Sequence, residues 1–193
     1  SMVEELYRAS IAGVEIDLIV RDICRLRPGI EGVSENIAVH SIVGRFLEHA
    51  RIFYFENGGR PEWYIGSADW MTRNLDHRVE AVTPVEDTRL RRQLRFILEA
   101  TLRDNRRRWE MHPDGSYEQA SPGDEPVRDI QNILMRATER ALDRGYGPGM
   151  AVDSPSTDGD LLIEPAASED AADLDDGDAA DPDDGDAADT HST

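Results

Sequence analysis

The spacing of apolar positions over residues 1–82 predicts one helix followed by several strands. Val3, Leu6 and Tyr7 recur at helical spacing, and Gly13 is a typical helix stop. Residues 14–20 alternate between polar and apolar and then become continuously apolar, as does a strand that enters a buried sheet. Further strands are predicted at residues 37–43, 51–55, 63–67 and 78–82, and Asn57-Gly58-Gly59 is a hairpin signal between two of them.

Residues 83–146 are predicted to form two helices separated by a hairpin. Thr83-Pro84-Val85-Glu86 has the composition of a capping box, which predicts that a long helix starts there. The apolar stripe of this helix is Leu90, Leu94, Ile97, Leu98 and Leu102. A hairpin is predicted around Pro113-Asp114-Gly115, and Pro126 is predicted to open a last helix that stops at Gly145. Together these elements predict an α/β domain over residues 1–146.

The negative charge is concentrated at the end of the chain. The formal charge of the 193 residues is −19, and all 21 basic residues are Arg. Residues 147–193 contain 13 Asp, 2 Glu and no Arg, so residues 1–146 carry only −4. Residues 175–190 are an imperfect octad repeat with few large apolar side chains, which predicts a disordered acidic tail over 147–193. No window of this tail has the spacing of an EF-hand, so no metal site is predicted.

Composition also limits the class of protein. A net negative chain is not expected to bind nucleic acid, and Cys24 alone cannot form an internal disulfide. No apolar run is long enough for a transmembrane segment, and no leader is recognised, so a cytoplasmic protein is expected. The Lys-free, Asp-rich composition is typical of halophilic proteins, in which salt screens a dense charge.

The candidate chemistry lies at the ends of the predicted strands. Arg21 follows the strand at 14–20, at the edge where open α/β sheets bind ligands. His49 and Arg51 precede and open the strand at 51–55. An imidazole can attack or hold a phosphoryl group, and a guanidinium neutralises its oxygens. The supporting candidates are Ser67 and Asn74, as neutral hydrogen-bonding groups, and Asp69, which could orient a His or an Arg.

Each candidate also has a structural interpretation. His49 could merely cap a strand, and Arg21 could form a structural ion pair. Arg51 could pair with Glu48 instead of a phosphate. Ser67, Asp69 and Asn74 are residue types that are common in turns.

Three segments in order carry a family resemblance: LYRASIAGVEIDLIVRDICRLRPG, SIVGRFLEHARIFYF and YIGSADWMTRNLDHRVE. Together they resemble the second phospholipase-D-like domain at the carboxyl end of polyphosphate kinase, the large multidomain family that makes polyphosphate from ATP. The resemblance covers about residues 1–145. It implies a phospholipase-D-like mixed sheet flanked by helices.

The resemblance also implies roles for individual residues. In the family, the residues at the positions of Arg21 and His49 contact the phosphates of ATP. The phosphorylated nucleophilic His, the Mg²⁺-associated residues and the aromatic that holds the nucleotide ring lie upstream of this region. Where the family commonly has Gly after the strand Arg, this chain has Asp22. The implied partners are ATP or ADP, polyphosphate, Mg²⁺, upstream domains of the same enzyme and further copies in a homo-oligomer.

The resulting hypothesis is that the chain is the C-terminal part of a polyphosphate kinase, which reversibly transfers the terminal phosphate of ATP to polyphosphate. The chain alone would then be inactive, because the nucleophile lies elsewhere. One alternative is a non-catalytic module that binds ATP or polyphosphate. The other is a dimeric phospholipase-D-like phosphodiesterase, although that chemistry uses two His-x-Lys halves and this chain offers one His-x-Arg.

Overall fold

The computed structural model describes residues 1–143, which form four helices and seven strands. The helices are α1 (Met2–Ile11), α2 (Thr72–His77), α3 (Thr88–Leu102) and α4 (Ile130–Asp143). The strands are β1 (Ile16–Ile19), β2 (Ile37–Ile42), β3 (Ile52–Phe55), β4 (Glu62–Gly66), β5 (Val82–Pro84), β6 (Arg108–Met111) and β7 (Tyr117–Gln119). The predicted acidic tail and the predicted stop at Gly145 lie outside the described residues.

A mixed four-stranded sheet in the order β1-β2-β6-β7 forms the centre of the fold. β1 and β2 are parallel, with Ile16 opposite Ile37, whereas β6 runs antiparallel to both β2 and β7. β6 and β7 are joined by the predicted turn at Pro113-Asp114-Gly115, in which Gly115 has a φ of 88°. The prediction of an α/β fold with a mixed sheet is therefore confirmed.

β2 is buried on both faces, which explains its nearly continuous apolar sequence. Its Ile37 and Val39 pack with Leu26 and Met111, and α1 covers this cluster. The next apolar position, Ile42, packs instead against residues of α3 and α4, namely Ala100, Ile130, Phe96 and Leu134. Side chains alternate between the two faces of a strand, so β2 carries helices on both sides.

A second, antiparallel sheet in the order β3-β4-β5 carries five aromatic side chains on β3 and β4. β3 and β4 are joined by a 3₁₀ turn at Asn57–Gly59, where Asn57 and Gly58 have φ values of 46° and 62°. Such positive angles favour Asn and Gly, so the predicted hairpin signal has a structural cause. The rings of Tyr54 and Trp63 lie 4.5 Å apart, and the Arg95 guanidinium of α3 lies 5.6 Å from each ring centroid. The cation–π contact thereby joins this sheet to α3.

The predicted strand at residues 78–82 and the capping box at Thr83 are both wrong. Thr83 and Pro84 belong to β5 and lie opposite Ile65 and Tyr64 of β4. Proline lacks an N–H, and it is tolerated here because β5 is an edge strand. α3 begins at Thr88, five residues after Thr83. The Asp87 carboxylate caps it by accepting hydrogen bonds from the backbone N–H groups of Arg89 (2.8 Å) and Leu90 (2.9 Å).

The predicted start of the last helix at Pro126 is also wrong, because α4 begins at Ile130. The preceding segment pairs with Asn105 instead of forming a helical turn. The Asn105 amide donates to the Pro126 carbonyl (3.1 Å) and accepts from the Arg128 N–H (2.7 Å). Asp129 then accepts from the Asn132 N–H (3.2 Å) at the first turn of α4.

Candidate functional site

Two arginines from the two different sheets converge on one carboxylate. Arg21 follows β1, Arg51 immediately precedes β3, and Asp69 lies in the loop after β4. The Arg51 Nε is 3.0 Å from Asp69 Oδ1, and the Arg21 Nη2 is 3.4 Å from Asp69 Oδ2. All three side chains are partly shielded from solvent, with 15% of Arg51 and 25% of Asp69 exposed. The pair of guanidiniums and the single carboxylate leave a local charge of one positive unit.

The carboxylate of Asp69 is held in its charged form. The hydrogen bond from Arg51 is the main cause that lowers the pKa of Asp69, and the charges of Arg51 and Arg21 act in the same direction. Burial opposes this effect. Asp69 therefore remains charged over the ordinary pH range and binds both arginines. That it orients them for a ligand stays a prediction.

The loop that carries Asp69 is held by aromatic stacking. Trp70 lies next in the chain and stacks on Phe53 of β3, with ring centroids 5.3 Å apart and an interplanar angle of 6°. The Met71 N–H donates to the Asp69 carbonyl in a tight turn (2.7 Å). Asp69 and Arg51 are thus fixed relative to the same strand.

His49 lies against the Arg51 guanidinium. Its Nε2 is 3.4 Å from Arg51 Nη1 and 3.5 Å from Nη2, and Nη1 also donates to the His49 carbonyl (3.3 Å). A guanidinium can only donate, so these contacts are hydrogen bonds in the tautomer whose Nε2 carries no proton. In the neutral ring the proton is then on Nδ1. The His49 side chain is exposed to solvent, as a ligand-binding imidazole has to be.

Ser67 and Asn74 do not contact this group, because both bind Glu80 instead. The Ser67 hydroxyl donates to Glu80 Oε2, and the buried Asn74 amide donates to Glu80 Oε1 (3.0 Å). The Ser67 bond is the main cause that lowers the pKa of Glu80, and the charges of Arg78 and Arg51 contribute. Glu80 was missed in the sequence analysis. Its network joins the end of β4 to the segment before β5.

Two further residues, Glu48 and Gln131, lie behind the site, and Gln131 was missed in the sequence analysis. The Glu48 carbonyl accepts from Arg21 Nη1 (3.3 Å), whereas Arg51 pairs with Asp69 and not with Glu48, the alternative partner considered above. The Glu48 carboxylate accepts instead from Gln131 of α4 (2.8 Å). Asp22, next to Arg21, accepts from the Ile23 N–H (2.8 Å) at an exposed position.

The described part of the chain contains no group of three or more His, Cys, Asp or Glu side chains that could hold a metal ion. Near the site, the carboxylates of Asp69, Glu80 and Glu48 are already bound by arginine, hydroxyl or amide groups, and that of Asp22 accepts from a backbone N–H. Within residues 1–143, each helix is too short or too polar to cross a lipid bilayer.

Comparisons with known proteins agree with this picture. Residues 1–131 match the family model of the polyphosphate kinase C-terminal domain 2. The polyphosphate kinase of Thermosynechococcus vestitus is 56% identical over 138 residues, which are 71% of this chain and 19% of the relative. That of Synechocystis sp. is 63% identical over 121 residues, which are 63% of this chain and 17% of the relative. The chain therefore spans about a fifth of the length of these curated relatives.

A solved structure shares the fold. The crystal structure of polyphosphate kinase from Porphyromonas gingivalis superposes with a TM-score of 0.70 and 43% sequence identity. The match covers 74% of this chain and 22% of that chain.

Proposed function

The chain belongs to the polyphosphate kinase C-terminal domain 2 family, and from that membership we propose that it supplies one side of the phosphate site of a polyphosphate kinase. The enzyme would transfer the terminal phosphate of ATP to a polyphosphate chain, and the reaction would be reversible. Arg21, His49 and Arg51 would contact the phosphates. The upstream part of the enzyme would provide the nucleophilic His and the binding of the nucleotide ring.

The observation that carries this proposal is the convergence of Arg21 and Arg51 on Asp69 beside His49. A guanidinium has five N–H donors, so Arg21 retains donors for phosphate oxygens beyond its contacts with Asp69 and Glu48. Two guanidiniums fixed side by side suit the several charged oxygens of a polyphosphate better than one mobile cation does.

His49 would act on the phosphate that is being transferred. With Nε2 turned to Arg51, the Nδ1 proton of the ring would be the one available to a phosphate oxygen. It would donate a hydrogen bond to that oxygen and so stabilise the negative charge that develops there. The arginines would neutralise charge on the neighbouring oxygens, which is the main electrostatic requirement of phosphoryl transfer.

Mg²⁺, which the family resemblance implies, is not assigned to this chain. The described residues do not fit such an ion, because the carboxylates nearest the arginines already bind arginine, hydroxyl or amide groups. No role of Arg21, His49 or Arg51 in this proposal depends on a metal.

A chimeric enzyme tests the proposal directly. The matched region of the Pseudomonas aeruginosa polyphosphate kinase, which is 53% identical over 135 residues, is replaced by the corresponding residues of this chain. We expect the chimera to make polyphosphate from ATP. Replacing Arg21 or His49 by Ala in the chimera should lower the rate by about 10²-fold or more, because each removes a contact to developing charge.

Two matched variants control for unspecific effects. Arg8→Ala removes an exposed arginine of α1 that pairs with Glu5, and His112→Ala removes an exposed histidine that pairs with Glu118. Both should leave the rate unchanged. A folded chimera without activity, or equal losses in the site and control variants, would contradict the proposal. A chimera that binds ATP without turnover would favour the non-catalytic binding module instead.

Several expectations from the sequence stay predictions. These are the homo-oligomer, the cytoplasmic location, the adaptation to concentrated salt and the acidic tail as a separate segment. The phosphodiesterase alternative also stays untested, and release of product from a chromogenic phosphodiester by the chain alone would support it.

A further inference from the structure

The segment that carries His49 is held by one side chain of α4. This segment, residues 43–50, has no helix or strand beyond the end of β2 and is called the His49 loop. The Gln131 amide oxygen accepts from the Phe46 N–H (3.1 Å), and its nitrogen donates to the Phe46 carbonyl (2.9 Å) and the Glu48 carboxylate (2.8 Å). Gln131 is 6% exposed, and both polar atoms of its amide are bonded to the loop.

The His49 loop is also shaped to receive this amide. A Cβ atom on Gly44 would lie 2.5 Å from Gln131 Oε1 and 2.8 Å from its Cδ. Real Cβ atoms essentially never come this close to another atom, so a larger residue at position 44 would displace the Gln131 amide from its present position. Gly44 and Gln131 therefore lie in direct contact, although they are 87 positions apart in the sequence.

Glu48 and His49 connect Gln131 to the two arginines of the site. Glu48, whose carboxylate accepts from Gln131, uses its carbonyl to accept from Arg21 (3.3 Å). His49 follows directly and lies on the Arg51 guanidinium. The position of one amide thus affects both sides of the candidate phosphate site.

We propose that Gln131 is a positioning residue that holds the His49 loop so that His49 and Arg21 face the same phosphate. The inference rests on the proposed function, because it takes the phosphate site as given. Gln131 itself touches no reacting group. It acts through the Phe46 backbone and Glu48, and its loss would change the geometry of the site while the cores around β2 remain intact.

Three variants separate positioning from simple structural support. Gln131→Glu keeps the length of the side chain but replaces the donating nitrogen by oxygen, so that a second carboxylate faces Glu48. The double variant Gln131→Glu with Glu48→Gln restores a donor opposite an acceptor and should rescue part of the loss. Gln119→Glu makes the same exchange at an exposed position of β7, where the amide nitrogen donates to the Arg106 carbonyl (2.9 Å), and is the control.

The experiment uses the full chain and two measurements. Calorimetry measures binding of inorganic tripolyphosphate, and NMR records the ring proton shifts of His49 without ligand. We expect Gln131→Glu to remain folded, to move the His49 resonances and to weaken tripolyphosphate binding by about tenfold, since a small misplacement of a site costs this much or more. The double variant should recover at least part of both changes, and Gln119→Glu should change neither.

Two results would overturn the inference. One is a folded Gln131→Glu chain that binds tripolyphosphate as tightly as the unchanged chain. The other is a set of unmoved His49 resonances. If the unchanged chain itself fails to bind tripolyphosphate, the proposed function loses its support, and the His49 resonances alone then decide whether Gln131 positions the ring.

Discussion

Replacing Asp69 by Asn tests whether one carboxylate holds the two arginines together. Asn keeps the size of the side chain and one acceptor oxygen but removes the charge. The contact with Arg51 at 3.0 Å then becomes a bond to a neutral oxygen, and the longer contact with Arg21 at 3.4 Å loses its charged partner. The like-charged guanidiniums are left without compensation.

The loss in stability can be estimated from this geometry. A hydrogen bond to a charged group contributes about 1.5–3 kcal/mol, and Asn retains part of the Arg51 bond, so Asp69→Asn should cost about 1–2 kcal/mol. With a urea m-value of about 2 kcal/mol per molar, the midpoint of unfolding should fall by about 0.5–1 M. Circular dichroism during urea titration at pH 7 measures this shift.

The control is an ion pair of the same type on the surface. Arg95 and Glu99 lie 3.6 Å apart on α3, and both are about half exposed. Glu99→Gln should change the free energy of unfolding by less than about 0.5 kcal/mol. If Asp69→Asn shifts the midpoint no more than this control does, Asp69 does not hold the arginines and the description of the site is wrong.

Three other predictions concern pH, a buried carboxylate and a helix start. The pKa of Asp69 is lower in the folded chain than in the unfolded chain. The contribution of Asp69 to the free energy of unfolding is therefore complete above the unfolded pKa and is lost as pH falls through the folded pKa. The difference in urea midpoint between Asp69→Asn and the unchanged chain should narrow below about pH 4. Asp104 is fully buried and accepts four backbone hydrogen bonds, one of them from Ile130 at the start of α4 (2.7 Å). Asp104→Asn should therefore lower the free energy of unfolding by about 2–4 kcal/mol, and an unchanged urea midpoint would contradict this. Asp87→Ala should lower the free energy of unfolding by about 1 kcal/mol, because Asp87 caps α3. Thr83→Ala should lower it much less, because Thr83 lies in β5. A larger loss for Thr83→Ala than for Asp87→Ala in urea unfolding would instead support the capping box predicted at Thr83.

Much of the fold follows from local patterns. The strands around residues 14–20, 37–43, 51–55 and 63–67 are confirmed, because their runs of apolar residues are buried or form the pleated faces of the sheets. The start of α3 was not predictable from its capping box, since Thr83 and Pro84 pair with β4 as an edge strand. A local signal for helix capping was overridden there by a contact with a distant strand.

The candidate site was predictable only in part, for the same reason. The sequence pattern brings together Arg21, His49, Arg51 and Asp69 as candidates, and the structure places these four in one group. The sequence pattern could not show that Ser67 and Asn74 bind Glu80, since those contacts depend on how the segment before β5 folds back.

Gln131 left a weak signal that was missed. In the predicted last helix, Val127, Ile130 and Leu134 recur at helical spacing as an apolar stripe. Gln131 lies four residues after Val127 and three before Leu134, so its polar amide falls on that stripe. A polar side chain in such a position needs a partner. Its partners are 83 and 85 residues away in sequence, so they could be identified only from the structure.

The most direct test of the central claim is the affinity of the chain for inorganic tripolyphosphate, measured by calorimetry at a fixed ionic strength of about 0.15 M. We predict that the unchanged chain binds tripolyphosphate and that Arg21→Gln and His49→Ala each weaken binding by about tenfold or more. Arg8→Gln, which removes an exposed arginine of α1 that pairs with Glu5, should bind as the unchanged chain does. A folded chain that does not bind tripolyphosphate, or an Arg8→Gln variant that loses as much affinity as Arg21→Gln, would contradict the assignment of a phosphate site to these residues.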